Sequence, residues 1–399
     1  MSTQIYGNGT TTASNGANTI VHFYDRAGIK AANAVSVYSQ FASRKEMPTQ
    51  MGKTFKISKW QHLYDLDQAN AAFAAKGYLG KRDLAAVTAK LSATDGSGAA
   101  LTEGAGAINK VTPKKVTVEA SIARYGFMIE YTDEVTLFSE DPVQVKYREE
   151  LGYLMNQTSE DLVQRDMLTG AGIVINAGGN ITKAQMGSTI TADGTNEGLY
   201  KVSFDVIRKG VKALVRNRAQ RNTEIIVGDN KIGTSPINSA FYAIVGPEVK
   251  YDLETATRGV SYEKEWAYVP AFKYANQSNM AQGECGSMHD VRFIESEGAM
   301  IDAAAGATIP TNYAGDLSYS NNGTDDKFDV FPILFPTKGS FATLGLKGQG
   351  KVTFYSKAPS DVNLGNPYGT KGFFSGNMFY SGIVLQPEKL ARINVLATK

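Results

Sequence analysis

The chain has 399 residues, enough for one elaborate domain or two ordinary ones, with roughly 75% of its unfolded surface buried on folding. Its 41 Lys and Arg against 39 Asp and Glu leave a net charge of +2, which argues against a protein whose affinity rests on dense phosphate contacts. The single Cys285 excludes an intrachain disulfide framework, and no apolar run approaches the ~20 residues that span a bilayer. Residues 1 to 19 carry no basic and apolar leader, so folding in a reducing cytoplasm is expected.

Residues 1 to 20, "MSTQIYGNGTTTASNGANTI", are almost all Gly, Thr, Asn and Ser, too polar to offset their ordering entropy, and read as an extended or disordered arm. "NAVSVYSQFASRK", 33 to 45, reads as a short helix leading into "GKTFKISKW". There Phe55 and Ile57 alternate with Lys56 and Ser58, as in a half-buried strand. Its expected partner is the alternating strand at 115 to 131, "KVTVEASIARYGFMIEY". Residues 61 to 114 between them, rich in Ala and Gly, would form a projecting hairpin-like arm, since a long excursion between paired strands is usually functional or disordered.

"DPVQVKYREELGYLMNQTSEDLVQRDML", 141 to 168, predicts one uninterrupted helix about 40 Å long, far above the ~11 to 12 residues of an average helix. Asp141 is placed to cap it, Pro142 suits the first turn, Gln144 completes a capping box, and Gly170 and Gly172 mark the stop. Tyr147, Leu151, Leu154, Thr158 and Leu162 form a narrow inward stripe, with Glu149, Glu150, Glu160, Asp161, Arg165 and Asp166 largely off it. A stripe this narrow suits packing on a sheet edge, with much of the rod meeting solvent or another subunit.

After a loop region, "INAGGNITKAQMGSTITADGTNEG", a second amphipathic helix is expected at about 203 to 219. Phe204, Ile207, Val211, Leu214 and Val215 line its inner face and Arg208, Lys209, Lys212, Arg216 and Arg218 its outer one. Such a basic face is more often solvated than a ligand site. "EIIVGD" and "AFYAIVGPEV" read as buried strands, with a short helix after Pro247. "VRFIESEGAM", "KVTFYSKA", "NMFYSGIVL" and "EKLARINVLATK" supply further strands around a loop-like stretch at 301 to 327. Helices and strands are segregated and irregularly spaced, which predicts an α+β fold, and no internal repeat is present.

No constellation of catalytic, cofactor-binding or metal-ligating residues survives inspection. His22, His62 and His289 lie in different segments without a partner motif. Cys285 and His289 in "CGSMH" would share a helical face, but a zinc site needs a second pair, and none is visible. "GLKGQGKV", 345 to 352, meets the first seven positions of a P-loop, yet Val352 stands where Ser or Thr must hold magnesium. The run also enters a strand, where a P-loop opens a helix. The lack of chemistry in a chain this size favours a structural role, with no enzyme activity expected.

"RYGFMIEYTDEVTLFSEDPVQVKYREELGYLMNQTSEDLVQRDMLTGAG", 124 to 172, resembles the signature region of major capsid proteins from Enquatrovirus-type tailed phages. "NAVSVYSQFASRKEMPTQMGKTFKISKW", "AFYAIVGPEVKYDLE", "VRFIESEGAM" and "GIVLQPEKLARINV" resemble further blocks of that family in the same order, covering about 33 to 396 with gaps. The resemblance implies the Hong Kong 97 type capsid fold. It places an N-terminal arm at 1 to 32, the start of a peripheral domain at 33 to 51, and an extended loop at 52 to 130. The peripheral domain continues over 131 to 200 with its spine helix at 141 to 169. A mainly axial domain comes next at 201 to 350, and 351 to 399 return to the peripheral domain. The Ala-rich stretch before Leu101 departs from many relatives, so contacts of the loop tip do not carry over.

The function so implied is a major capsid protein assembling as hexamers and pentamers into the icosahedral head around the double-stranded DNA of a tailed phage. Its partners would be further copies of itself, scaffolding, portal and decoration proteins, and weakly contacted DNA, with no membrane. It would be assembled in the host cytoplasm and end in the virion. An encapsulin-like compartment shell and a nucleotide-handling enzyme are the alternatives, the latter resting on "GLKGQGKV" alone.

Overall fold

The computed structural model describes residues 37–48, 52–60, 115–138, 143–179, 181–227, 233–256, 283–321, 323–346, 352–359 and 366–399, with a few isolated positions between them. The arm, most of the 61 to 114 excursion, His22, His62, the Asp141 and Pro142 cap, and the centre of the glycine run at 347 to 351 lie outside the described residues.

Two mixed sheets organise the chain. The first runs β1 (Ser43–Met47), β13 (Phe341–Leu346), β15 (Lys371–Val384), β14 (Thr353–Lys357), and β4 (Ala123–Thr132) also pairs with β15. The second runs β5 (Ile173–Asn176), β16 (Ala391–Val395), β12 (Phe331–Phe335), β7 (Gly233–Val245), β9 (Val291–Glu295), β8 (Glu284–Met288), with β6 (Asn222–Val227) on β7. Two ribbons, β2 (Thr54–Trp60) with β3 (Lys115–Ser121) and β10 (Tyr319–Asn321) with β11 (Asp326–Phe328), share no strand pairing with either sheet. The described helices are α1 (Asp133–Phe138), α2 (Val143–Gly170), α3 (Phe204–Arg216) and α4 (Pro247–Thr255).

Alternation along the strands sends odd and even residues of the seven-stranded sheet to different cores. Phe241, Ala243 and Val245 of β7, Ile333 and Phe335 of β12, and Ile393 and Val395 of β16 pack with Ile207, Val211 and Leu214 of α3 and Val249 and Leu253 of α4. On the other side Tyr242, Ile244, Ile294 and Leu334 pack with Met155, Leu162, Val163 and Met167 of α2 and with Val37, Tyr38 and Phe41.

Several sequence expectations hold in the structure. β2 and β3 pair antiparallel with Ile57 opposite Val118 and Lys56 opposite Glu119. Helix α3 begins after Ser203, whose side chain accepts from the Val206 N–H, and it buries Phe204, Ile207, Val211 and Leu214. The helix after Pro247 is present as α4.

Others are corrected. The segment at 33 to 45 is not a helix over its described part, but a 3-10 turn at Ser39–Phe41 followed by β1, which joins β13 in parallel. Sheet pairing with a strand some 300 residues later outweighs local propensity there. The strand expected at 115 to 131 is two strands, split at Ile122, with β3 serving the ribbon and β4 the first sheet. The expected loop region after α2 opens with β5, parallel to β16.

On α2, Leu154 is 41% exposed while Met155 is 0% exposed, so the inward stripe runs through Leu151, Met155, Leu162, Val163 and Met167. Glu160, expected outside, is buried. Val215 of α3 is exposed rather than inward. Gly170 does not close α2 in a left-handed conformation; it is the last helical residue, and a Cβ there would collide with Val384 of β15.

Candidate assembly interface

The β2–β3 ribbon is built from its alternation. Phe55, Ile57, Val118 and Ala120 face inward onto Ala342, Leu344 and Ile383 of the first sheet. The outward positions carry an ion pair between Lys56 and Glu119 at 2.6 Å and a Ser58–Thr117 hydroxyl contact at 3.3 Å. Lys59 pins the ribbon to the protein through Glu388 at 3.1 Å. At its far end Trp60 is 65% exposed, where the chain departs toward residues 61 to 114. A large aromatic side chain held on a paired ribbon and left in solvent is the composition of an interface anchor.

The root of the N-terminal segment is equally fixed. Glu160 of α2 accepts hydrogen bonds from the backbone N–H of Tyr38 at 2.9 Å and Ser39 at 3.2 Å. Phe41 packs on Tyr242 with ring centroids 5.1 Å apart. Burial pushes the Tyr38 phenol above its ordinary range, and burial, with the charge of Glu160 second, raises the Asp161 carboxyl.

The third feature is the outer edge of β14. Among the described residues this strand hydrogen-bonds to β15 on one side only, and Phe354 and Tyr355 are exposed. A cleft of about 670 Å³ opens between it and α2, lined by Arg148, Tyr153, Asn156, Phe354, Tyr355 and Ser356. Leu137, Phe138 and Val145 add exposed apolar surface on α1 and at the start of α2. Exposed apolar residues on an unpaired strand edge call for a covering partner.

Of the residues weighed for chemistry, Cys285 lies in β8 and His289 in the turn after it, so they do not share a helical face. The buried Cys285 thiol donates to the Phe293 carbonyl at 3.5 Å, and burial pushes its pKa up to about 11. His289 stacks edge-on against Phe204. Among the described residues no three His, Cys, Asp or Glu are grouped to hold a metal ion, and no helix is long and apolar enough to cross a membrane. The described element that follows the glycine run at 345 to 352 is the strand β14, as the sequence predicts. Sequence alone does not single out Trp60, Phe354 and Tyr355; the available signal at Trp60 is an aromatic residue on the polar side of an alternating strand, and β14 does not alternate.

No family model matches the chain. It is 28% identical to the major capsid protein of Pseudomonas phage KPP21 over 96% of this chain and 94% of the relative. Among solved structures, the capsid of Ralstonia phage GP4 superposes with a TM-score of 0.58 at 12% identity, covering 98% of this chain and 99% of that one. The capsid of cyanophage P-SCSP1u gives a TM-score of 0.49 at 12% identity over 97% and 96%. The likeness to the Ralstonia phage GP4 capsid shows that the chain has the Hong Kong 97 type phage capsid fold, and over nearly its whole length it is similar to a protein named as a major capsid protein.

Proposed function

We propose that copies of this chain assemble as hexamers and pentamers into a closed icosahedral head around double-stranded DNA. The observation that carries this reading is the likeness over 96% of the chain to a protein named as a major capsid protein. Residues 1 to 32 act as an arm, and residues 52 to 130 as an extended loop rising from the β2–β3 ribbon. Both latch neighbouring subunits. The long helix α2 is the spine of a peripheral domain completed by residues 351 to 399, and most of residues 201 to 350 form the axial domain at the capsomer centre.

Two features support the latching roles. Glu160 grips the chain at Tyr38 and Ser39, a few residues past the end of the arm, and Lys59 with the inward ribbon residues holds the root of the loop. A latch needs such roots, because a pull on the tip is otherwise spent on unravelling its base. Scaffolding, portal and decoration proteins are the further partners, assembly takes place in the host cytoplasm, and within tailed phages the chain stands with the Enquatrovirus type. Deleting residues 1 to 32 should leave the subunit folded and reduce shell yield by sedimentation; full yield would refute the arm's role.

A further inference from the structure

The exposed side of α3 concentrates positive charge. Residues 205 to 221 hold Arg208, Lys209, Lys212, Arg216, Arg218 and Arg221 against the one carboxylate of Asp205, a balance of +5 in a chain whose whole net charge is +2. Acidic neighbours stand at the ends of this stretch: Asp205 lies 3.7 Å from Arg208, and Asp290 lies 2.5 Å from Arg221. The middle differs. Lys209 and Lys212 are exposed and form no ion pair with a described carboxylate.

Spacing makes the crowding specific. Residues three and four apart on a helix are surface neighbours, with Cβ atoms about 5 to 6 Å apart. Lys212 has Arg208, Lys209 and Arg216 at three of its four such positions and Val215 at the fourth. Like charges at this spacing weaken a helix. The cations cannot rotate away, because Phe204, Ile207, Val211 and Leu214 fix the opposite side of α3 to the seven-stranded sheet. Bringing up a partner with closely spaced negative charges would relieve the repulsion.

We propose that the exposed face of α3 contacts the phosphate backbone of double-stranded DNA, and that this side of the seven-stranded sheet faces the shell interior. The inference rests on the capsid reading and goes beyond it by naming the wall. Charge complementarity selects the partner: each strand of a duplex carries one charge per about 3.4 Å, so a rigid row of cations finds phosphates in any sequence. Confining the contact to a few side chains, on a chain near neutral overall, keeps it weak enough for DNA to be packed and released.

The test uses unassembled subunits of the full chain, titrated with a duplex of about 30 base pairs between about 50 and 200 mM salt. Wild type is compared with the variant R208Q/K209Q/K212Q/R216Q, with K212Q alone, and with K56Q/K146Q as a control for exposed cations elsewhere. Each phosphate contact contributes about 0.9 to the slope of log affinity against log salt, so the quadruple variant should flatten it by up to about 3.6. Over that fourfold salt range wild-type affinity then falls up to roughly 150-fold more than the variant's, K212Q loses about 0.9, and the control matches wild type.

Coincident slopes for wild type and the quadruple variant would overturn the inference. So would tighter binding of wild type to a polyglutamate peptide than to the duplex, which would make an acidic protein the partner. Electron microscopy of the same proteins separates the two levels. Shells from both with coincident slopes refute only the DNA face, whereas no shells from either refute the capsid reading beneath it.

Discussion

Replacing Met155 with Ala removes three heavy atoms from a side chain that is 0% exposed, on the face of α2 pressed against β15. The fit leaves no slack: a Cβ on Gly376 of β15 would lie 3.2 Å from the Met155 Cγ. At about 0.8 kcal/mol per methylene-sized group the transfer loss is ~2.4 kcal/mol, and the unfilled cavity carries the total to about 3 to 4 kcal/mol. Leu154, next in sequence and 41% exposed, should cost only about 0.5 kcal/mol when cut to Ala. Urea unfolding of unassembled subunits reads the difference. At an m-value of about 3 kcal/mol/M, Met155→Ala lowers the midpoint by about 1 M and Leu154→Ala by about 0.2 M. Equal shifts, or a larger one for Leu154→Ala, would refute the assigned stripe and the seating of α2.

Gly126→Ala should cost about 1 to 3 kcal/mol, because the new Cβ would meet the Gly376 carbonyl oxygen at 2.7 Å and β15 backbone cannot retreat; thermal unfolding checks it. Glu160→Ala should speed amide hydrogen exchange at Tyr38 and Ser39, which lose their acceptor, whereas unchanged exchange would remove Glu160 as the root of the arm. Trp60→Ser should leave the urea midpoint of the free subunit within about 0.2 M and lower shell yield, since 65% of the side chain already meets solvent. Cys285 should resist thiol reagents at pH 8 in the folded subunit. Its thiol is neutral in both states below pH 9.0, and above that the unfolded chain loses its proton first. Folding stability from this group therefore falls as pH rises from 9.0 to about 11, and a Cys285→Ala variant should lack that part of the decline.

Sequence is most informative where periodicity and burial coincide. Helix α3 is readable from its spacing of three and four, because Phe204, Ile207, Val211 and Leu214, all of its expected inner face but Val215, are buried in the core beneath one sheet. The ribbon is readable from period two on both strands. The long helix is readable in length but not in orientation. Stripes through Leu154 and through Met155 are both written in the same letters, and the strand beneath decides between them at Gly376. The burial of Glu160 is hidden because its partners are backbone N–H groups at Tyr38 and Ser39, 122 and 121 residues away. Strand β1 is hidden for the same reason, its partner β13 being far along the chain. The assembly surfaces carry no motif at all: Trp60, Phe354 and Tyr355 become telling only when their exposure is known.

Electron microscopy of the purified chain, expressed with and without the genes that neighbour it, tests the central claim most directly. Closed shells of uniform size, or rings of five and six subunits, are the expected result. A monodisperse monomer or dimer under every condition would contradict it, leaving the exposed edge of β14 and the Trp60 ribbon without the partner they call for.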